Sequence, residues 1–413
     1  MRTNLSILII LLSVFACSTQ GNSDRKSKKH MKQSKENTYG EDKLFLQKYC
    51  DLIELNYRDA KILLSKDYQG RIFTSTATGD KGISFGWINY KHFKSGEKSK
   101  QFNPFGGEER LWLGPEGGPF SIYFEKGEEQ IFKNWVVPKE LDILPFDVVS
   151  RTHESVSFRK EFTLKNYSGT ILNIGIERNI KLLKSKEVEK DLDCTIDKSL
   201  TYVAYESENT LINKGPAGWT EQSGTLSVWM LAMFNPSING VVFIPFKKGS
   251  ESELGKVVND DYFGKVPSDR LIIKDGILFF RTDGKFRSKI GISPQRALPF
   301  IGSYDPGKHV LTLLWYSSPN KPSKYVNSKW GDQTFPFSGD VANSYNDGPI
   351  EDGSIMGPFY EIESSSPAAM LSPSSRITHT QRIFHITGDE EKLSLITEKL
   401  FHHSLSEIKE IFN

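Results

Sequence analysis

Between residues 60 and 387 the chain is a succession of short runs rich in β-branched and aromatic residues, separated by clusters of Gly, Pro, Asn and Asp. The runs are 60–65, 120–124, 156–164, 170–183, 225–234, 240–246, 276–281, 287–293, 309–317 and 376–387. Such side chains fit a pleated, half-buried surface, and Gly, Pro, Asn and Asp close the turns between strands. A βαβ fold needs a helix between successive strands, and almost no helical periodicity lies between these runs. Strands joined by turns alone predict an all-β fold, a large antiparallel two-sheet β-supersandwich. A chain of 413 residues has length enough for one such domain and its core.

Only the ends depart from this pattern. Over 41–56, Leu44, Phe45, Tyr49, Leu52 and Ile53 recur at helical spacing and predict a short N-terminal helix. At the other end Asp389 can cap a C-terminal helix carrying Leu393, Ile396, Leu400, Leu405 and Ile408. His402 and His403 fall near its middle and read as surface residues rather than a metal site. A single domain over 41–413 follows.

The first residues read as a targeting segment. Arg2 precedes an apolar run over 5–15, and Val14-Phe15-Ala16-Cys17 resembles a bacterial lipobox. Residues 1–17 are then a lipoprotein signal peptide, and Cys17 is lipidated and touches the membrane. The alternative is an ordinary cleaved signal with an incidental cysteine. Ser18 stands where inner-membrane retention needs Asp, and no acidic run follows, so the expected location is the periplasm-facing side of the outer membrane. Residues 18–40, with Arg25, Lys26, Lys28, Lys29, Lys32 and Lys35, read as a disordered basic tether. Lys and Arg total 53 against 51 Asp and Glu, so without the tether the body is near neutral and slightly acidic. That balance does not suggest nucleic-acid binding. Cys50 and Cys194 are the cysteines left after Cys17; they can pair or stay free, and their spacing fits no metal motif.

Two segments carry chemistry. The first, 103–118, places Glu108, Glu109, Arg110, Trp112 and Glu116 among five glycines and two prolines. Carboxylates and an Arg fork orient sugar hydroxyls, an indole covers an apolar sugar face, and Gly admits close backbone approach. The competing reading is a tight loop whose charges are solvated or paired with each other.

The second runs from Trp330 through Asp340, Asn343, Asn346, Asp347, Glu351 and Asp352 to Glu361-Ile362-Glu363 and Pro367. On a strand, Glu361 and Glu363 point to one face. Such a pair can divide into a base and an acid, or bind a cation with the carboxylates just upstream. Two solvated glutamates on an outer face are the plain alternative. Of the histidines, His379 follows the pair closely enough for an antiparallel return beside it, and His153, next to Glu154, is second; His309 and His385 also lie in strand runs. GxSxG, HExxH, Walker and GxGxxG motifs are absent, and no cofactor or metal is expected.

Together these residues resemble the galactose mutarotase-like superfamily of aldose 1-epimerases, and more closely a bacterial lipoprotein branch of it, over about residues 58–388. Gln69-Gly70-Arg71-Ile72 looks like an opening strand turn, and 106–112 is similar to the segment framing the sugar site. Asn166 looks like the asparagine of the central strand turn. Glu361-Ile362-Glu363 is similar to the late strand that carries the epimerase's general base. The resemblance implies a supersandwich and a sugar ligand. It also implies a histidine after the central turn, where 174–179 has none; Glu177, His153 or His379 takes its place, or sugar is bound without epimerisation. The expected function is a periplasmic lipoprotein that binds or processes a sugar or oligosaccharide. Glu361 is the base, Glu363 or His379 the acid, and Glu108, Glu109, Arg110, Trp112, Glu116, His153 and Glu177 contact the ligand. The alternative is a non-catalytic structural or assembly lipoprotein of the outer membrane; protein partners are not indicated.

Overall fold

Every β-branched or aromatic run becomes a strand except 120–124, and strands that no run announced fill the gaps. The computed structural model describes residues 37–319, 323–350 and 353–413. In chain order the elements are α1 (Tyr39–Leu46), β1 (Ile53–Tyr57), β2 (Ala60–Ser65), β3 (Arg71–Thr76), α2 (Tyr90–Ser95), β4 (Arg110–Gly114), α3 (Lys139–Asp142), β5 (Asp147–Arg151), β6 (Ser155–Lys165), β7 (Ile171–Leu182), α4 (Ser185–Asp191) and β8 (Thr201–Asn213). They continue as β9 (Ser227–Phe234), β10 (Val241–Pro245), α5 (Glu251–Leu254), β11 (Leu271–Lys274), β12 (Ile277–Arg281), β13 (Ser288–Ile292), β14 (Phe300–Asp305), β15 (Val310–Tyr316), β16 (Ala342–Asn346), β17 (Tyr360–Ser365), β18 (Arg376–Thr387), α6 (Glu390–Phe401) and α7 (Leu405–Lys409).

These strands pair antiparallel into three sheets. Ten follow the order β11-β12-β10-β14-β15-β18-β8-β7-β6-β5, and five the order β13-β16-β17-β9-β4. These two sheets form the sandwich. Their inner faces, including Ile176 and Leu211 from one and Leu111, Met230, Ala232 and Ile362 from the other, share one apolar core. Burying each such side chain contributes about 1.5–3 kcal/mol. The ten-stranded sheet is also covered outside, where Leu393, Ile396, Phe401, Leu405 and Ile408 of α6 and α7 pack on Phe243, Phe279, Leu313 and Phe384. Among the described residues the outer face of the five-stranded sheet carries no such helices; loops wall it into a cavity.

The structure differs from expectation at several points. A small third sheet, β1-β2-β3, joins the sandwich through a bridge between Ile72 and Glu109. The N-terminal helix is shorter and earlier than 41–56: Thr38 and Glu41 form its capping box, and Leu52 and Ile53 lie beyond it, with Ile53 opening β1, where pairing with β2 overrides helical spacing. Tyr39 is fully buried and its hydroxyl donates to Glu54, so packed structure already includes residues before Glu41. The C-terminal helix divides at His402, which adopts a left-handed conformation, and Ser404 caps a second helix. Segment 120–124 is a loop whose Tyr123 hydroxyl donates to the Leu113 carbonyl. Cys50 and Cys194 are free thiols in separate apolar clusters. Among the described residues no helix is long and apolar enough to cross a membrane. Cys17, the signal, most of the tether, Glu351 and Asp352 lie outside the described residues.

Candidate functional site

Alternation along five strands sends one set of side chains to the outer face of the five-stranded sheet. The register aligns Arg110 (β4) with Leu231 (β9), Leu231 with Glu363 (β17), and Glu363 with Asn343 (β16). The next row holds Glu361, Tyr345 and Lys289, and the row on the other side holds Trp112, Trp229 and Ser365. This face floors a cavity of about 450 Å³, within the range of small-molecule sites. Gly291 continues the row of Asn343; a Cβ there would collide with the carboxylate of Asp340, a wall residue.

The floor consists of two nested units. Arg110 Nη2 donates to Glu361 Oε1 at 2.7 Å, and its guanidinium lies 4.4 Å above the Trp112 ring. Lys289 Nζ donates to Glu363 Oε2 at 2.9 Å while sitting 5.0 Å above the Trp229 ring, and Trp229 Nε1 donates to the same oxygen at 2.8 Å. Each carboxylate thus has its own cation, and each cation its own indole. Several buried polar atoms of the floor have no partner among the described residues: Arg110 Nε and Nη1, Trp112 Nε1, Ser227 Oγ and Glu363 Oε1. Native interiors rarely leave such atoms unsatisfied without reason.

Loops supply the walls. Glu116 is positioned by its own N–H, which donates to Ser328 Oγ at 3.1 Å. Gln130 ties that loop to the Trp330 loop, because its Oε1 accepts from both Gly118 and Gly331. Gly117 permits this approach, since a Cβ there would strike the Lys329 carbonyl. Trp135 and Trp330 stack at 6.2 Å on the same side. Also on the wall, Tyr262 donates to Asp340 Oδ2 at 2.5 Å, and Asn259 to Asp340 Oδ1 at 2.7 Å.

Burial sets the electrostatics. It raises Glu361 to about 7, with Arg110 pulling down and Glu363 pushing up. It raises Glu116 to about 7 as well, opposed by Lys289 and by the indoles of Trp330 and Trp135. Asp340 rises to about 6 by burial, against the hydrogen bonds from Tyr262 and Asn259. Carboxyl groups that titrate near neutrality are suited to proton transfer.

Of the residues read from sequence, Arg110, Trp112, Glu116, Trp330, Asp340, Asn343 and Glu361 line the cavity, and Glu363 reaches it through Lys289 and Trp229. Trp112 is no sugar platform, because its ring is almost wholly buried with Arg110 over it. Glu108 and Glu109 lie between the sheets. Glu108 accepts from Ser75 and pairs with His385, while Glu109 pairs with Arg178 at 2.7 Å and accepts from Ser207 and Gln381. His379 is buried behind β17, where its Nε2 meets Ser364 Oγ at 2.8 Å; burial lowers its pKa to about 3, which keeps the ring neutral rather than an imidazolium acid near pH 7. His153 is exposed beside Glu154, and Glu177 pairs on the outer face with Arg376. Asn166 braces the β6–β7 turn, its Oδ1 accepting from Thr170 N. Asp347 accepts from Tyr345 and Gly357 N, closing its own turn. Among the described residues no cluster of three or more His, Cys, Asp or Glu is arranged to hold a metal.

Lys289, Trp229, Tyr262, Trp135 and Trp330 complete the site. Lys289 had a usable signal: with Arg287 and Gly291 it forms the polar parity of a predicted strand. Trp330 opens the second segment read from sequence, whereas Trp135 stands in a loop without periodicity, so nothing local marks it.

Residues 37–412 match the model of a family of unknown function, DUF6786. No curated protein matches the chain. The chain is similar to the solved Slr1438 protein of Synechocystis sp. PCC 6803, with 11% identity, 82% of this chain and 96% of that chain covered, and a TM-score of 0.49. It is also similar to a galactose mutarotase-like protein from Lactobacillus casei ATCC 334, with 10% identity, coverage of 81% and 100%, and a TM-score of 0.46. A galactose mutarotase related enzyme from Lactobacillus acidophilus is similar at 10% identity, coverage of 81% and 97%, and a TM-score of 0.46.

Proposed function

The chain belongs to the DUF6786 family, and we propose that it binds a sugar on the floor of the five-stranded sheet and moves a proton there, in the manner of an aldose 1-epimerase. The observation that carries this reading is the set of unpartnered buried atoms facing one cavity. It contains donors (Arg110 Nε and Nη1, Trp112 Nε1) and a hydroxyl that both donates and accepts (Ser227 Oγ). A polyol matches such a set, because each of its hydroxyls both donates and accepts. Trp330 and Trp135 on the wall suit the apolar face of a sugar ring.

Proton transfer is assigned by environment. Arg110 places a positive charge against Glu361 and favours its ionised form, so Glu361 takes the proton of the anomeric hydroxyl. Glu116 has no ion pair among the described residues, and as the carboxylic acid it gives its proton to the ring oxygen while the bond from that oxygen to the anomeric carbon breaks. Closure on the other face of the carbonyl returns both protons to where they began. Glu363, held by Lys289 and Trp229, positions rather than donates.

The test is binding and turnover together. Monosaccharides are expected to raise the melting temperature, and the protein to accelerate mutarotation of α-glucose or α-galactose followed by NMR. Glu361→Gln is expected to keep binding and lose turnover by at least about a hundredfold. Binding without acceleration would end the enzymatic half of the proposal. No stabilisation by any sugar would leave a non-catalytic structural role.

We further propose that lipidation of Cys17 anchors the protein in the outer membrane facing the periplasm, a reading that rests on the lipobox-like Val14-Phe15-Ala16-Cys17.

A further inference from the structure

The cavity has two tiers that differ in chemistry. Its floor aromatics, Trp112 and Trp229, are buried under cations. At the mouth, Phe132 is 53% exposed and Phe263 is 46% exposed, and both line the same cavity. They belong to opposite ends of the sheet. Phe132 stacks on Trp135, whose ring neighbours Trp112 of β4, whereas Phe263 packs edge-on against Tyr345 of β16. Adjacent strands lie about 4.8 Å apart, so the floor from β4 to β13 is far wider than one sugar ring needs. A ring bound at the floor would leave these two cavity-lining side chains still partly exposed to solvent.

Resting on the sugar reading above, we infer that the ligand is an oligosaccharide rather than a monosaccharide. The reacting ring occupies the floor and further rings lie toward the mouth, with one stacking position at Phe132 and a separate one at Phe263. The mouth is not purely apolar, which favours a second sugar over an apolar aglycone. The Arg287 guanidinium lies 4.0 Å above the Phe263 ring and has no carboxylate partner within ion-pair distance among the described residues. Lys329 and Asp261 pair at 2.6 Å on the cavity wall, both partly exposed. An aromatic face with charged hydrogen-bonding groups at the same level is a sugar subsite in chemistry: the ring's C–H face stacks and its hydroxyls reach the charges.

The experiment compares affinities by calorimetry or ligand-observed NMR for glucose, galactose and mannose with maltose, cellobiose, lactose, mannobiose and the matching trisaccharides. At least one disaccharide is expected to bind about tenfold more tightly than its monosaccharide, a gain within the range of one stacking subsite. At least one of Phe132→Ala and Phe263→Ala, both at exposed positions, is expected to shrink that ratio severalfold with unchanged melting temperature, and an unchanged ratio in both would overturn the inference. Disaccharides binding no better than their monosaccharides would overturn the inference and leave the monosaccharide reading standing. Octyl or phenyl glycosides binding more tightly than every disaccharide would overturn it in favour of an apolar aglycone. Failure of sugars of every size to bind would remove both readings.

Discussion

Arg110 carries the most at the level of single residues, because it neutralises Glu361, covers Trp112 and still has two unpartnered donors. Arg110→Ala is expected to weaken sugar binding at least tenfold, as measured by calorimetry, through loss of a charged hydrogen-bond fork of about 1.5 kcal/mol or more. The same change leaves Glu361 buried without its cation, and its pKa rises above 7. The variant is therefore expected to be close to wild-type stability at pH 5.5, where Glu361 is protonated, and clearly less stable at pH 8. Equal loss at both pH values would mean that the arginine acts by packing alone. Glu116 gives the complementary case. Burial raises it from 4.5 to about 7, so between those values the folded state holds a proton that the unfolded state has lost. Stability then falls as pH rises through this window, and the full penalty stands above 7. Glu116→Gln is expected to stabilise the protein at pH 8 by about 1–3 kcal/mol and to change little near pH 4, read from thermal melts at the two pH values.

At the level of elements, β4 and the residue before it separate two functions that share one stretch of sequence. Pleat alternation sends Arg110 and Trp112 to the cavity and Glu109 and Leu111 between the sheets. Glu109 accepts there from Arg178, Ser207 and Gln381, bridging three strands of the ten-stranded sheet. Glu109→Ala is expected to cost about 3–5 kcal/mol, because it strands a fully buried guanidinium, while sugar affinity of the folded fraction stays unchanged. Denaturant melts with parallel sugar titrations check this, and lost affinity at unchanged stability would return Glu109 to the ligand. Composition alone could not divide the segment: carboxylates, arginine and indole among glycines look the same whichever way each residue faces. Glu361 and Glu363 were legible, because their period-two spacing survives any choice of face. For β4 the missing information was where the strand begins.

Across the whole molecule, the five-stranded sheet can hold a ligand because its inner face meets the core and its outer face is walled by loops instead of helices, whereas α6 and α7 cover much of the other large sheet. Anchoring is a separate matter, since the cysteine assigned to the lipid precedes the described residues in sequence. Cys17→Ala is expected to move the protein from the membrane to the soluble envelope fraction with its melting temperature unchanged; retention at the membrane would remove the lipobox reading. What the sequence by itself determined is local: which runs are strands, where the last helix starts, that the two late glutamates share a face, and that the body is nearly neutral. These follow from backbone sterics, side-chain period and capping, which act over a few residues. The tertiary structure decided which strands are neighbours. Only the order β17-β9-β4 brings Glu361 to Arg110, 251 residues away in sequence, and only loop packing carries Glu116, Trp135 and Trp330 to the same cavity. Strand order is set by the burial of all the sheets' apolar faces at once, a property of the whole chain that no window of it contains.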